Sequence, residues 1–369
     1  MAELLSKINT TILIAPLDWG LGHATRCIPI IRVLLQKNCR VVVAASGFHE
    51  SLLRQEFPDL EFIHLDGYGI NYSTKYVLLG LILQLPRFFR NIKNEHNWLK
   101  NTVDQYKLDG IISDNRYGLY TDKVPCVFIT HQLQPKAPKL FKMIEASSRK
   151  QLYSFVNRFS ECWVPDETGS EKSLAGSLSH PAKLPVVPIK YIGWLTRFSP
   201  ARFVQKKYLL TISLSGPEPQ RSLLEGIILP QLQNINGQVL LVRGMPGATS
   251  MPEVQEHITV ANHLPAKKME NAFLESEFVL SRCGYSTLMD MQSLHCQCIF
   301  IPTPGQTEQE YLGEMLAAKK IAIVKPQDNF DLANALEDAA TFPFAEGIAY
   351  KNSLLEPVLS GWLQSLNKR

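Results

Sequence analysis

Short apolar runs alternate with stretches of helical spacing along almost the whole chain. Thr11-Ile-Leu-Ile-Ala-Pro-Leu17 is closed by a glycine-rich turn, and Ala24 to Lys37 follows with Ile28, Ile31, Leu34 and Leu35 at helical intervals. Next come Arg40–Ala45, a polar helix to Phe57 and Phe62–Leu65, then Gly110–Ser113, Cys126–Thr130 and Cys162–Val164. Runs that are apolar at every position, not at every second one, predict strands buried on both faces of a parallel sheet. The pattern breaks over residues 176–207, where Pro181, Pro185, Pro188 and Pro200 interrupt it, and resumes at Tyr208–Leu214. Val239–Val242, Ile258–Val260, Phe278–Ser281, Cys298–Ile301 and Ala322–Val324 continue the alternation, and Ser353 to Leu366 ends it with helical spacing. The expected fold is α/β, with two doubly wound, Rossmann-like domains facing across a cleft. They span 1–198 and 208–351, joined by a linker at 199–207 and followed by a C-terminal helix at 352–369. In such sheets ligands lie beyond the carboxyl ends of the strands, so chemistry is expected in the turns that follow strands.

The first such turn is Asp18-Trp19-Gly20-Leu21-Gly22-His23-Ala24-Thr25-Arg26. Gly20 and Gly22 let the backbone approach a ligand closely and aim helix N–H groups at an anion or a sugar oxygen. No third glycine stands at the dinucleotide spacing, which argues against an NAD-type loop. His23 either caps the helix or, as a neutral imidazole, takes a proton from a hydroxyl. Asp18 is a second candidate base, or the group that orients the histidine. In the second half, Ser213-Leu214-Ser215-Gly216-Pro217-Glu218-Pro219-Gln220-Arg221 again joins a strand to a helix. Its small hydroxyls, glycine and prolines suit a phosphate cradle with Arg221 as counter-charge, although they also suit an ordinary helix start. Arg282, Gly284, Ser286 and Thr287 fill the turn after the next long run, and Asp290 can accept bonds from both hydroxyls of a ribose. Gln309 and Glu310, at the following helix start, can read sugar hydroxyls. Each alone fits a solvated helix start; their placement at one sheet edge points to a shared ligand.

Composition narrows the classes. The 369 residues are 45% hydrophobic and 20% charged, and a net charge of +4 is too small for a dedicated nucleic-acid binder. Seven cysteines form no even framework, and most sit inside apolar runs, as buried free thiols in a reducing compartment do. Cys296-Gln297-Cys298 is too tight for a zinc knuckle, so no metal is expected. Met1 to Lys7 carries Glu3 early and shows no signal peptide, which makes the cytoplasm the expected location. The apolar run Val77–Leu85 ends at Pro86, short of the ~20 residues that span a bilayer.

The run Ser281-Arg-Cys-Gly-Tyr-Ser-Thr-Leu-Met-Asp290, with Pro302 and Gln309-Glu310-Tyr311, resembles the donor-site signature of MurG-type glycosyltransferases, those with a family 28 C-terminal domain. It is also similar to the plant galactolipid synthases. Gly20-Leu-Gly-His23 resembles that family's first glycine loop, and His131-Gln132 a histidine motif on the acceptor side of the same domain. The resemblance implies a GT-B fold whose last helix returns to the N-terminal domain. It implies an inverting transfer of a hexose-type sugar from a nucleoside-diphosphate donor, UDP foremost, to a lipid or glycan hydroxyl. On this resemblance Ser215 and Gly216 hold the diphosphate, Asp290 the ribose in place of a glutamate, and Gln309 the donor sugar. The backbone near Leu264 meets the base, and His23 is the general base. The chain departs from the pattern at Pro217-Glu218-Pro219, at Glu310 in place of a glutamine, and in a first loop with fewer glycines. No Asp-x-Asp motif is present, so backbone N–H groups and helix ends are expected to carry the leaving-group charge, with no cofactor beyond the UDP-sugar substrate.

Tyr76 to Lys100 combines the apolar run with Arg87, Arg90, Lys93 and Lys100, and with Phe88, Phe89 and Trp98. Such a segment either packs as a core helix followed by a solvated basic one or docks on an anionic membrane surface. The resembled enzymes act on membrane lipids, which implies a peripheral site at the inner face of the plasma membrane, in keeping with a role in the cell envelope. Two rival classes remain. Gly20-Leu-Gly-His-Ala-Thr-Arg-Cys27 also resembles the opening of UDP-sugar hydrolases of surface-glycan synthesis, in which water replaces the acceptor. A non-catalytic nucleotide-sugar-binding protein would keep Asp290 and Gln309 with an inert His23.

Overall fold

The computed structural model describes residues 10–18, 20–69, 77–199, 202–345 and 354–366, without the side chains of 77–83 and 139–140. The N-terminal segment read for a signal, Tyr76, most of the side chains of the Val77–Leu85 run, and Pro200 therefore lie outside the described residues. Contacts divide the chain into two compact units. One is Met1–Asn71 and Leu78–Leu195 with Lys351–Arg369; the other is Tyr72–Val77 with Thr196–Tyr350.

The first unit is built on strands β1 (Thr11–Pro16), β2 (Arg40–Ala45), β3 (Glu61–His64), β4 (Gly110–Asp114), β5 (Cys126–Ile129), β6 (Glu161–Val164) and β7 (Ile189–Tyr191). Its helices are α1 (Gly22–Gln36), α2 (Gly47–Glu56), α3 (Val77–Tyr106) and α4 (Glu145–Val156). All strands pair in parallel, in the order β3-β2-β1-β4-β5-β6-β7. The continuous apolar runs are what this demands: every residue of β1, β4 and β5 is buried, since helices cover both faces. β7 was not expected. It sits in the proline-rich stretch as a half-buried edge strand, too short to show any periodicity. Pro86 does not end α3, which runs on through it. The C-terminal helix (Leu355–Leu366) belongs to the first unit, where Trp362 meets Trp163 edge to face at 5.6 Å. A Cβ at Gly110 would lie 2.7 Å from the Trp362 ring, so β4 starts with a glycine because this helix packs down on it.

The second unit repeats the plan with β8 (Tyr208–Ser213), β9 (Val239–Val242), β10 (Ile258–Ala261), β11 (Ser276–Ser281), β12 (Gln297–Phe300) and β13 (Ile323–Val324). Between and after them run α5 (Gln220–Ile228), α6 (Ala266–Leu274), α7 (Tyr285–Ser293), α8 (Thr307–Ala318) and α9 (Leu332–Thr341). The parallel order is β10-β9-β8-β11-β12-β13. One core cluster joins Leu210, Ile212, Leu280 and Ile299 of the central strands to Leu224 and Ile228 of α5 and Leu332 of α9. In each sheet the winding reverses once, between β1 and β4 and between β8 and β11. At such a point the flanking loops part, leaving a crevice beyond the strand ends.

Candidate active site

In the first unit the β1/β4 reversal gathers a buried ionic cluster. Gly20 holds φ +67°, a left-handed conformation that glycine adopts without strain, and so turns β1 sharply into α1. The first turn of α1 then carries His23, with Arg26 and Cys27 behind it. Across the sheet, β4 ends in Asp114, which is fully buried. His23 Nδ1 lies 3.2 Å from Asp114 Oδ2, and Arg26 Nε donates to the same oxygen at 2.7 Å. Arg26 also donates through Nη2 to Asp114 Oδ1, and its Nη1 lies 3.3 Å from His131 Nδ1, just beyond β5. Burial alone would raise the Asp114 carboxyl, but the Arg26 guanidinium and His23 outweigh it and hold the group at about 2. Burial, followed by the positive charge of Arg26, lowers the pKa of His23, with Asp114 opposing. The imidazole is therefore neutral at neutral pH, as a base must be.

Nδ1 of His23 meets two competing groups. A bond to Asp114 needs the proton on Nδ1 and leaves Nε2 bare, able to take a proton from a substrate. The Arg26 Nη2 contact at 2.9 Å needs a bare Nδ1 and puts the proton on Nε2. Arg26 already has both Asp114 oxygens as acceptors, which favours the first arrangement.

Asp18 does not orient the histidine. Its carboxylate turns the other way and accepts from the backbone N–H of Tyr68 at 3.0 Å, so the orienting acid is Asp114. Sequence reading stopped that strand at Ser113 and passed Asp114 over, because a lone aspartate at a strand end carries no motif. His49 was missed for the same reason. Buried on α2, it donates from Nε2 to the Gly20 carbonyl at 2.7 Å and pins the glycine turn. Behind the loop, Arg116 pairs with Glu95 at 2.7 Å, and Tyr68 donates to the same carboxylate at 2.5 Å. A hollow of about 320 Å³ near this network is lined by His64, Asp66, Asn91, Asn94 and Trp98 among others, and holds none of the expected site residues. Gln132 is half-buried, its N–H donating to Thr130 Oγ1 at 3.1 Å.

In the second unit the expected donor residues follow β8, β10, β11 and β12, at the carboxyl ends of the strands on either side of the β8/β11 reversal. Ser215 and exposed Gly216, at φ +106°, follow β8, and a Cβ added at Gly216 would meet only open space. α5 opens just beyond them, α7 opens after Gly284, and α8 opens after Gln306. Three helix N-termini thus follow the adjacent strands β8, β11 and β12 at one sheet edge, with their positive ends available to an anion. Ser286 and Thr287 are half-buried in the first turn of α7. Leu264 is half-buried beyond β10.

Several side chains there are already engaged. Arg221 is not a free counter-charge: its Nε pairs with Glu218 at 2.5 Å and its Nη1 with Glu225 at 2.7 Å, and Arg243 also pairs with Glu225. Buried Asp290 accepts from Thr196 Oγ1 at 2.7 Å and lies 3.6 Å from Arg197 Nε. Burial raises its pKa against the opposing effect of Arg197. A ribose at Asp290 would have to share or replace these partners. Gln309 Oε1 accepts from the Thr303 N–H and exposed Glu310 from the Gly305 N–H, both at 2.9 Å, so the two side chains brace the turn before α8.

The sequence of residues 228–349, most of this unit, matches the glycosyltransferase family 28 C-terminal domain. No curated protein matches the chain by sequence. By structure it is similar to the glycotransferase of kitacinnamycin, with a TM-score of 0.63 and 14% identity over 98% of this chain and 96% of that one. Arabidopsis thaliana UGT89C1, complexed with UDP-L-rhamnose, gives a TM-score of 0.61 and 12% identity, over 98% and 94% of the two chains. Acinetobacter baumannii MurG gives 0.53 and 12%, over 98% and 100%. The chain thus has the GT-B fold of two Rossmann-like domains and carries, over residues 228–349, a glycosyltransferase family 28 C-terminal domain.

Proposed function

We propose that the protein is an inverting glycosyltransferase that moves a hexose-type sugar from a nucleoside-diphosphate donor to a lipid or glycan hydroxyl. The observation that carries the reading is the neutral His23 beside buried, ionised Asp114 at the strand reversal of a GT-B fold. His23 Nε2 takes the proton of the acceptor hydroxyl while Asp114 stabilises the imidazolium that forms. The acceptor oxygen bonds to the anomeric carbon as the bond to the phosphate oxygen breaks, and the configuration inverts. The departing diphosphate gathers negative charge. The N–H groups around Ser215 and Gly216 and the N-termini of α5, α7 and α8 are placed to meet it, so the reaction needs no divalent cation. UDP is the nucleotide that the sequence resemblance implies, and UGT89C1, of similar fold, is complexed with UDP-L-rhamnose; Asp290, Gln309 and Leu264 stay assigned to ribose, donor sugar and base.

Thermal shift of the purified protein with UDP, GDP, dTDP or CMP, with and without EDTA, tests the donor site. One nucleoside diphosphate is expected to raise the melting temperature equally in both conditions, since a ligand of the native state stabilises by mass action. No shift with any nucleotide would sink the reading. With the matching nucleotide sugar, release of free sugar in the absence of any acceptor would turn the assignment to a hydrolase.

A further inference from the structure

Arg221, Arg243 and Arg282 stand at the carboxyl edge of the second sheet, and their charges are met differently: Arg243, like Arg221, pairs with Glu225. Arg221 is neutralised by Glu218 and Glu225. Arg282, following β11, is only 2% exposed, and among the described residues no carboxylate pairs with it. Its bonds go to uncharged oxygens: Nη2 donates to the Gln220 carbonyl at 2.8 Å and to Gln327 Oε1 at 2.6 Å, and Nη1 to the Ile301 carbonyl at 3.3 Å. Its buried Nε has no hydrogen-bond partner among the described residues. Burial draws the guanidinium pKa down to about 10, the sign of a charge without a counter-ion.

The acceptors come from different places. Gln220 opens α5 after β8, Ile301 follows β12, and Gln327 follows β13, so one side chain ties together the ends of four adjacent strands. At the same edge α5, α7 and α8 open with their positive ends. A buried cation beside helix N-termini adds like to like, an arrangement that an anion at this edge would relieve. Glu310, in the first turn of α8, is turned to the Gly305 N–H and forms no ion pair with Arg282 among the described residues.

We propose that Arg282 is the buried counter-charge of the donor diphosphate, a positioning residue that selects charged ligands through its field and its hold on three loops, without touching them. The inference rests on the donor reading above. The test measures affinity, by calorimetry without metal, for whichever of UDP, GDP and dTDP binds the wild type, and for its uncharged nucleoside. Arg282→Gln is expected to weaken the diphosphate about tenfold or more while the nucleoside changes less than about twofold, and Arg282→Lys to recover most of the loss. Equal weakening of both ligands, or no change in either, would overturn the inference and leave the donor reading standing. No diphosphate binding by the wild type would overturn both. Should Arg282→Gln fail to fold, the wild type still decides. A buried charge is poorly screened, so the diphosphate-to-nucleoside affinity ratio should fall less than about threefold between roughly 0.05 and 0.5 M NaCl. Collapse of that ratio towards unity would assign the selectivity to surface charges and overturn the inference.

Discussion

His23 and Asp114 are 91 residues apart in the chain, and each makes the other chemically useful. Without the acid, Arg26 would be left beside Nδ1 and would hold the wrong tautomer. Asp114→Asn is expected to lower kcat about 100-fold with little change in KM, the usual worth of a general base. Steady-state kinetics on the matching donor checks it. The same groups set the acid stability. His23 and His49 are held neutral by burial, so below their ordinary value of 6.5 the unfolded chain takes up protons that the fold excludes. Their contribution is complete above about pH 6.5 and declines as pH falls below it. Asp114 is depressed from 3.8 to about 2, so its contribution, on the order of 2 kcal/mol, is complete above the higher value and lost as pH falls through the lower one. The urea midpoint should therefore drop between pH 7 and pH 5, and drop less in His49→Gln. Equal slopes would show that His49 titrates as in the unfolded chain.

Helix α3 bears on where the protein works. No helix among the described residues is long and apolar enough to cross a membrane. The exposed side of α3 nevertheless carries Leu85 and Phe89, each 45% exposed, with Arg87, Arg90 and Lys93. Phe88 turns inward against Tyr68 and Tyr117. Phe89 also approaches Phe155 of α4, and the 3₁₀ segment leading into α4 exposes Phe141, Ile144 and Met143, the last at 92%. An apolar ridge edged with cations suits the interface of an anionic bilayer, where a chain buries apolar area and gains about 1 kcal/mol per basic residue. We predict binding to vesicles containing anionic lipid in a flotation assay, weakened about tenfold or more by Phe89→Glu with Met143→Glu. Failure of the wild type to float would remove the membrane from the proposal. The basic-aromatic composition was legible in the sequence. That Phe88 packs inside while Phe89 faces out follows only from the packing of α3.

For the molecule as a whole, the last helix matters out of proportion to its length. Trp362 is 3% exposed against Trp163 and the start of β4, and the helix also pairs Glu356 with Lys37 beyond α1. Trp362→Ala leaves a cavity under the central strands and should cost about 3–5 kcal/mol of first-unit stability. Because the second unit has its own core, nucleotide binding at its sheet edge should survive, which calorimetric melting with and without the bound nucleotide would show. Loss of nucleotide binding together with first-unit stability would mean that the units do not fold independently.

Local pattern determined the parallel sheets and the loops that follow their strands, because burial on both faces leaves every strand position apolar. It also marked the glycine turns, since residues such as Gly20 and Gly216 take backbone conformations that other residues resist. Tertiary structure alone decided which charges meet. Asp114 reaches His23 because β4 pairs beside β1, and Arg221 and Arg282 look alike in the sequence until folding gives two carboxylates to one and, among the described residues, none to the other. Electrostatic character depends on distance and burial, and neither is a property of neighbours along the chain.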